Sequence, residues 1–221
     1  MVRPKPKRRR RRGGRDGDTE ARILEAARIV FLRRGTAGAR MQEIAAEAGV
    51  NQALLHYYFR SKDHLAKATF ARAASQLLPA VIQILAGDEE LEAKVARIIQ
   101  VELDHLSRAP YLPGYILSEI NHHPDRVPEL IGALSGLSPE VIRPRVVSTL
   151  RRQLDERIAA GRIRPIAPDQ FIVNLMSLCI FPFAARPMLS ALLGIDDAGF
   201  ARFIARRRDD LTAFFLGALR P

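Results

Sequence analysis

Three stretches of helical periodicity, separated by helix-ending residues, constrain the fold of this chain more than any other feature. In RILEAARIVFLRRG the apolar residues recur at helical spacing, and Gly35 can leave the helix in a left-handed conformation. MQEIAAEAG predicts a short second helix with a small apolar face, followed by a tight turn at Gly49. NQALLHYYF predicts a third helix capped by Asn51. Residues 22–65 therefore predict a compact helix-turn-helix unit.

The third helix has one buried face and one face whose chemistry suits a DNA groove. Leu55 and Phe59 lie four residues apart and share the buried face. Glutamine pairs with adenine, apolar atoms meet the thymine methyl group, and Tyr or His donates to phosphate. The candidate DNA-binding residues of this helix and its cap are Asn51, Gln52, Ala53, Leu54, His56, Tyr57 and Tyr58. The alternative is an ordinary helical corner over 40–59 that binds no DNA.

A fourth helix begins directly after this unit. Ser61 predicts its cap, and Lys62 occupies its first position. The positive side chain and the positive end of the helix then face the same place, which predicts a site for a DNA phosphate.

With these residues in view, the chain resembles the tetracycline-repressor (TetR) family of bacterial one-component transcription regulators. The strings RILEAARIVFLRRG and IAAEAGVNQALLHYYFRSKDHL carry the resemblance, over roughly residues 20–65. The rest of the chain resembles the family only in length and in its all-helical pattern. The resemblance implies that the third helix lies in the major groove, that its exposed residues read bases, and that Lys62 contacts phosphate.

The chain departs from the family pattern at three places. Leu54 stands where family members often have Thr, and His56 stands where they often have Tyr, so two hydroxyl contacts are missing and the base preference is open. The second helix also lacks the usual Ser or Thr cap. We expect Arg40 or Gln42 to contact phosphate there instead.

Length and composition predict an all-α chain with two domains. Of its 221 residues 48% are hydrophobic but only 6% are aromatic, so the core has to be mainly aliphatic. No convincing period-two alternation argues for strands. We expect a disordered basic arm over 1–18, a three-helix DNA-binding domain over 19–65, and a helical ligand-sensing and dimerisation domain over 66–221.

The net charge of +11 is concentrated at the start of the chain. Residues 1–18 hold nine Lys or Arg against two Asp, a net of +7. An arm with no apolar residue after Val2 and with helix-breaking Pro and Gly predicts disorder. We expect it to lie along phosphates or in the minor groove; the alternatives are a solvated charge run and an extension without function. A secretory signal requires an apolar stretch directly after its basic start, and no such stretch follows this arm. We therefore expect a cytoplasmic protein.

The segment 171–194 is the most apolar part of the chain. Asn174, Arg186 and two prolines argue against a membrane span. A helix that is apolar on most sides needs partners on more than one face, and the family resemblance implies a second copy as the partner. A two-fold dimer also matches a palindromic operator. The candidate dimer-interface residues are Phe171, Met176, Phe203 and Phe214. The alternative is a core within one chain.

A stretch of short helices broken by Pro and Gly, YLPGYILSEINHHPDRVPEL, predicts space between longer helices, where small ligands often bind. The candidate pocket residues are His105, Tyr111, Tyr115, Ile116, Glu119 and Ile120. Each also has an ordinary interpretation, as part of a core stripe or of a solvated face.

Other classes of function lack a matching pattern. His122 and His123 point apart on a helix, no second ligand pair has recognisable spacing, and we expect no metal and no cofactor. No phosphate loop, dinucleotide fingerprint or nucleophile elbow argues for an enzyme. We therefore expect a dimeric repressor that a small-molecule effector releases from a double-stranded DNA operator. The alternative is a sequence-independent nucleic-acid-binding protein that uses the basic arm.

Overall fold

The computed structural model of the chain describes residues 12–77, 79–128 and 139–221. Within these ranges the regular structure is helical and contains no strand, which confirms the all-α prediction. The α-helices are α1 (Arg12–Gly38), α2 (Met41–Glu47), α3 (Gln52–Phe59), α4 (Lys62–Leu77), α5 (Pro79–Ala86), α6 (Leu91–Arg108), α7 (Leu112–His122), α8 (Pro139–Ala159), α9 (Pro168–Ala184), α10 (Arg186–Leu193) and α11 (Asp197–Ala218). A short 3-10 helix spans Pro124–Arg126.

The chain divides into two compact units, and the division falls inside α4. The first unit ends at Arg72 and the second begins at Ala73, seven residues later than the boundary expected from the sequence. The start of the fold also differs from the expectation. Residues 12–18, predicted as part of a disordered arm, form the first turns of α1, and residues 1–11 lie outside the described residues.

The first unit is built around a small core shared by α1, α2, α3 and the start of α4. Gly35 interrupts α1 with a φ of 68° and a ψ of 159°. The positive φ agrees with the predicted departure from the helix at glycine, but the extended ψ differs from the left-handed helical conformation. At the surface, α1 and α2 are joined by ion pairs from Arg33 to Glu47 and from Arg34 to Glu43. The buried core residues of this unit include Ile23, Ala27, Val30, Phe31, Ile44, Ala45, Leu55, Phe59, Leu65, Ala66 and Phe70.

Helix α6 is the central element of the second unit. It contacts α5, α9 and α11, and α9 also contacts α7 and α8. Its inward face follows the helical period, and its fully buried aliphatic residues include Val95, Ile98, Ile99, Leu103 and Leu106. Edge-to-face aromatic pairs join α9 to α11, Phe171 with Phe215 and Phe183 with Phe200.

Buried polar groups connect α5, α6 and α8. The ammonium group of Lys94 donates to the carbonyl of Leu85 at 3.1 Å and to Oε1 of Gln153 at 2.8 Å. The Gln153 amide in turn donates to the carbonyl of Glu89 at 2.7 Å. Burial lowers the pKa of Lys94. Within the described part of the chain, these bonds hold the lysine in the interior without a carboxylate partner.

The apolar segment near the C-terminal part of the chain does not form one long straight helix. Among the described residues no single helix has both the length and the hydropathy for a membrane crossing. Taken together, α9 and α10 meet that criterion by length and composition, but their axes are bent by 74° at the break between them.

Candidate DNA-binding site

Local sequence signals position α3, the recognition helix. Gly49 adopts a φ of 63° in the turn before this helix, a backbone conformation that residues other than glycine rarely adopt. Asn51 caps the helix, because its side-chain oxygen accepts from the backbone N–H of Leu54 at 2.7 Å. Leu55 and Phe59 are buried, as predicted, and fix the helix against the core of the first unit.

The opposite side of the recognition helix is open to solvent. Gln52, Ala53, Leu54 and His56 are exposed, and Tyr57 is 79% exposed. A tyrosine ring this far out of the protein leaves its hydroxyl and its apolar edge available to a partner. The structure therefore gives these predicted DNA-reading residues the exposure that groove contact requires.

Tyr58 differs from its neighbours because α1 holds it. Its hydroxyl donates to a carboxylate oxygen of Asp16 at 3.2 Å, and its ring packs edge-on against Tyr57 with centroids 5.5 Å apart. The sequence does not indicate this bond, because the two residues are 42 positions apart. The sequence also predicted that Asp16 lies in a disordered arm. The bond anchors the first turns of α1 beside the recognition helix.

The start of α4 combines a predicted feature with an unexpected one. The side-chain oxygen of Ser61 accepts from the backbone N–H of His64 at 3.2 Å, which confirms the cap. The ammonium group of Lys62 donates to the carbonyls of Ala37 at 2.9 Å and Ala39 at 3.2 Å. Two of its three N–H groups thus connect α4 to the loop between α1 and α2, and among the residues that the structure describes the third has no acceptor.

Arg40 and Gln42, at the start of α2, are both exposed. Arg40 precedes the helix in an extended conformation, and its side chain makes no capping hydrogen bond, as expected from the missing Ser or Thr. Arg60, at the end of the recognition helix, is a further exposed cation that the sequence did not single out. It has a φ of 52°, uncommon for a residue other than glycine, and no sequence pattern indicates it.

The six candidate pocket residues differ in burial. Tyr115, Ile116 and Glu119 are buried, whereas Tyr111 is 56% exposed and lies beneath the guanidinium of Arg186 at 5.4 Å. His105 and Ile120 are half-buried. Burial lowers the pKa of His105, and the charge of Arg108 lowers it further by a smaller amount.

Three clefts of about 300 to 360 Å³ lie along α9, α10 and α11 and contain none of the six. One of them, of about 350 Å³, is lined by residues that include Arg186, Phe200 and Arg208. The predicted pocket residues therefore do not coincide with these clefts.

The candidate dimer residues also separate by burial. Phe171 is 1% exposed and packs on Phe215 with ring centroids 5.2 Å apart, so its prediction as an interface residue is wrong: the partner of its ring is a helix of the same chain. Met176 and Phe203 are half-buried, and Phe214 is 63% exposed. Further exposed apolar residues of this region are Val173, Phe181, Met188, Leu192 and Leu193.

No metal centre is built by the described residues. Across ranges 12–77, 79–128 and 139–221 there is no group of three or more His, Cys, Asp or Glu side chains placed to hold an ion. Nδ1 of His122 lies 2.7 Å from the carbonyl of Ser118, one turn earlier on the same helix. That ring is therefore engaged at the end of α7.

Comparison with known proteins identifies the family. A family model described as bacterial regulatory proteins, tetR family, matches residues 23–69, which contain α2 and the recognition helix. The HTH-type transcriptional repressor Rv3405c of Mycobacterium tuberculosis is 31% identical over 157 residues, covering 69% of this chain and 73% of the relative. The chain belongs to the TetR family. It is a DNA-binding transcriptional regulator with a helix-turn-helix.

Two further relatives show how far this similarity extends. The HTH-type transcriptional repressor SCO4008 of Streptomyces coelicolor is 32% identical over 112 residues, so the match spans 49% of this chain and 57% of the relative. A solved TetR family transcription regulator from Marinobacter aquaeolei is 19% identical, with a TM-score of 0.59 over 94% of this chain and 98% of the other. At that identity the second comparison establishes the helical fold alone.

Proposed function

We propose that this TetR family regulator is a dimeric repressor that binds one operator sequence through α3 and leaves it when a small molecule binds the second unit. The capped recognition helix with its open outer side is the observation that carries the proposal. The relatives Rv3405c and SCO4008, both named as repressors, support the sign of regulation. Because its target is genomic DNA of a bacterial cell, we place the protein in the cytoplasm and assign it no catalytic reaction.

In this proposal base reading falls to the exposed side chains of α3. Gln52 offers a bidentate pair to adenine, and Leu54 presents apolar atoms to a thymine methyl group. Tyr57, 79% exposed, donates to a phosphate or a base edge. Arg40 and Gln42 contact phosphate at the start of α2.

Lys62 has two roles in the proposal, and they make different predictions. Its bonds to Ala37 and Ala39 stabilise the first unit, and the remaining N–H donates to phosphate. If phosphate contact matters, Lys62→Met reduces the slope of log affinity against log salt by about one. If only the loop contacts matter, the variant lowers the free energy of unfolding and leaves that slope unchanged.

The test of the proposed function is a salt titration of binding to the DNA upstream of the chain's own gene, against a scrambled duplex of equal length. We expect much tighter binding to the upstream DNA. Gln52→Ala and Tyr57→Ala should each weaken it by about 10- to 100-fold. Gln83→Ala, a substitution at an exposed glutamine of α5, serves as the matched control.

The competing hypothesis, a sequence-independent binder that relies on its basic residues, predicts equal and steeply salt-dependent affinity for both duplexes. It also predicts that the two α3 variants bind both duplexes as the unsubstituted protein does. That outcome would reject the operator-specific repressor.

A further inference from the structure

Glu102 lies in the middle of α6, on the stripe of residues that faces the interior of the second unit. Ile98, four residues earlier, and Leu106, four residues later, are both fully buried. Glu102 is itself 0% exposed. Helical spacing therefore places a carboxyl group where the packing of the unit calls for an apolar side chain.

Both carboxyl oxygens of Glu102 are buried and have no hydrogen-bond partner within the described residues. Three other buried polar side chains contrast with it. Thr69 donates to the carbonyl of Leu65 at 2.7 Å, Lys94 has two acceptors, and Arg157 is held by Glu90 and Glu92. An unpaired buried polar group lowers stability, so this position is costly for the free protein.

The groups around Glu102 do not neutralise it. The thiol of Cys179, on α9, is close enough for the Glu102 charge to raise its pKa, although burial is the larger cause. Arg207, on α11, lies near that thiol, but its guanidinium donates twice to the carbonyl of Leu178, at 2.8 and 3.2 Å. The nearby cation is thus engaged by a backbone group and not by the carboxylate.

We infer that the Glu102 carboxylate is the anchor for a small organic cation, an amine whose ammonium group enters between α6, α9 and α11 and donates to the two unpaired oxygens. An ammonium group supplies both the N–H donors and the opposite charge that the site lacks. A carboxylate or phosphate ligand would instead add a second negative charge to the same interior.

The burial of Glu102 also gives such an amine a means of regulation. Both α9 and α11 contact α6, so a ligand reaches the carboxylate only if these helices separate from α6. A ligand that binds the separated arrangement alone shifts the protein toward it. Describing the amine as an effector rests on the proposed repressor function, whereas its binding to Glu102 does not.

The experiment measures the thermal unfolding midpoint of the full chain at pH 8 with three amines and the alcohols of the same carbon skeletons. The pairs are benzylamine with benzyl alcohol, hexylamine with hexanol, and tryptamine with tryptophol. The proteins are the unsubstituted chain, Glu102→Gln, Glu102→Leu and the control Glu156→Gln. Glu156 is an exposed carboxylate on α8 and leaves the interior unchanged.

We expect at least one amine to raise the unfolding midpoint of the unsubstituted protein and of Glu156→Gln, with little effect of its alcohol. Both Glu102 variants should bind that amine on the order of tenfold more weakly or worse. We also expect Glu102→Leu to unfold at a higher temperature than the unsubstituted protein without ligand, because it removes the unpaired polar group.

Two results would overturn the inference. One is that no amine differs from its alcohol in the unsubstituted protein, and the other is that the Glu102 variants respond as the control does. Operator affinity is measured in parallel without amine. If no protein prefers the upstream DNA, the proposed function fails, while the amine result still stands or falls by itself.

Discussion

Asn51 is the single residue that organises the start of the recognition helix. Its side-chain oxygen accepts from the N–H of Leu54 at 2.7 Å, and no intrahelical acceptor exists for that N–H. We expect Asn51→Ala to lower the free energy of unfolding by about 1 kcal/mol, measured by urea denaturation. Asn51→Ser, which retains a capping oxygen, is the control. Equal stability of the alanine variant and the unsubstituted protein would mean that water replaces the cap.

Glu102 makes stability depend on pH in a direction opposite to that of most carboxylates. Burial raises its pKa from the ordinary 4.5 to about 7. Below pH 4.5 it is protonated in both states. As the pH rises toward 7, the unfolded chain ionises first, so the stabilisation by the bound proton is lost across this window.

We therefore expect the unfolding free energy of the unsubstituted protein, relative to Glu102→Gln, to fall by about 3 kcal/mol between pH 4.5 and 8. Urea denaturation at several pH values measures this difference. His105 and Arg207 are present in both proteins, so their titration cancels in the comparison. The Cys179 thiol, whose pKa depends on the Glu102 charge, has a pKa of about 12 and does not ionise below pH 8. A constant difference across the range would show that the carboxyl group is solvated.

At the level of single residues, the sequence predicted the features that depend only on residues close by in the chain. The Asn51 cap and the buried pair Leu55 and Phe59 depend on neighbours within one or two helical turns. The bond from Tyr58 to Asp16 could not be predicted, because it depends on how α1 packs beside α3. Glu102 went unnoticed since a carboxylate in an apolar stripe is ordinarily taken for a break in the pattern.

Helix α11 offers a matched pair of adjacent aromatic residues, one of which packs against α9. Phe215 is buried against Phe171, whereas Phe214 is 63% exposed. We expect Phe215→Ala to lower the free energy of unfolding by about 3 to 5 kcal/mol, because it leaves a cavity between the helices. Chemical denaturation measures this loss.

Phe214→Ala should change monomer stability by less than about 0.5 kcal/mol and weaken self-association, if this face meets a second copy. Sedimentation velocity at several concentrations gives the second readout. The proposed interface would be rejected if Phe214→Ala and the unsubstituted protein showed the same association state at every concentration.

The helices were predictable from the helical spacing of apolar residues and from helix-ending residues. The residues at which they end and the elements against which they pack were less predictable. The apolar character of α9 was correctly taken to require a partner on more than one face. For Phe171 that partner is α11 of the same chain, and hydrophobicity alone does not distinguish an internal neighbour from a second copy.

At the scale of the whole molecule, the uneven charge predicts how affinity depends on salt. Residues 1–11 hold seven Lys or Arg, at positions 3, 5 and 7 to 11. We expect their deletion to make the slope of log affinity against log salt shallower by about 0.9 for each phosphate that the shortened protein no longer neutralises. The preference for upstream over scrambled DNA should remain, since binding to phosphates carries no sequence information.

Fluorescence anisotropy with both duplexes at several salt concentrations measures the slope and the preference together. An unchanged slope would mean that these residues stay in solvent. Loss of the preference, with the slope altered or not, would mean that the arm reads bases and that α3 is insufficient alone.

The burial of Cys179 has a practical consequence, because it is the only cysteine in the chain. Its thiol is 0% exposed, and burial, with a smaller contribution from the Glu102 charge, raises its pKa to about 12. Alkylating reagents attack the thiolate, so the closed interior protects this residue. The rate at which an alkylating reagent labels this one sulfur therefore measures how often α9 separates from the helices packed against it.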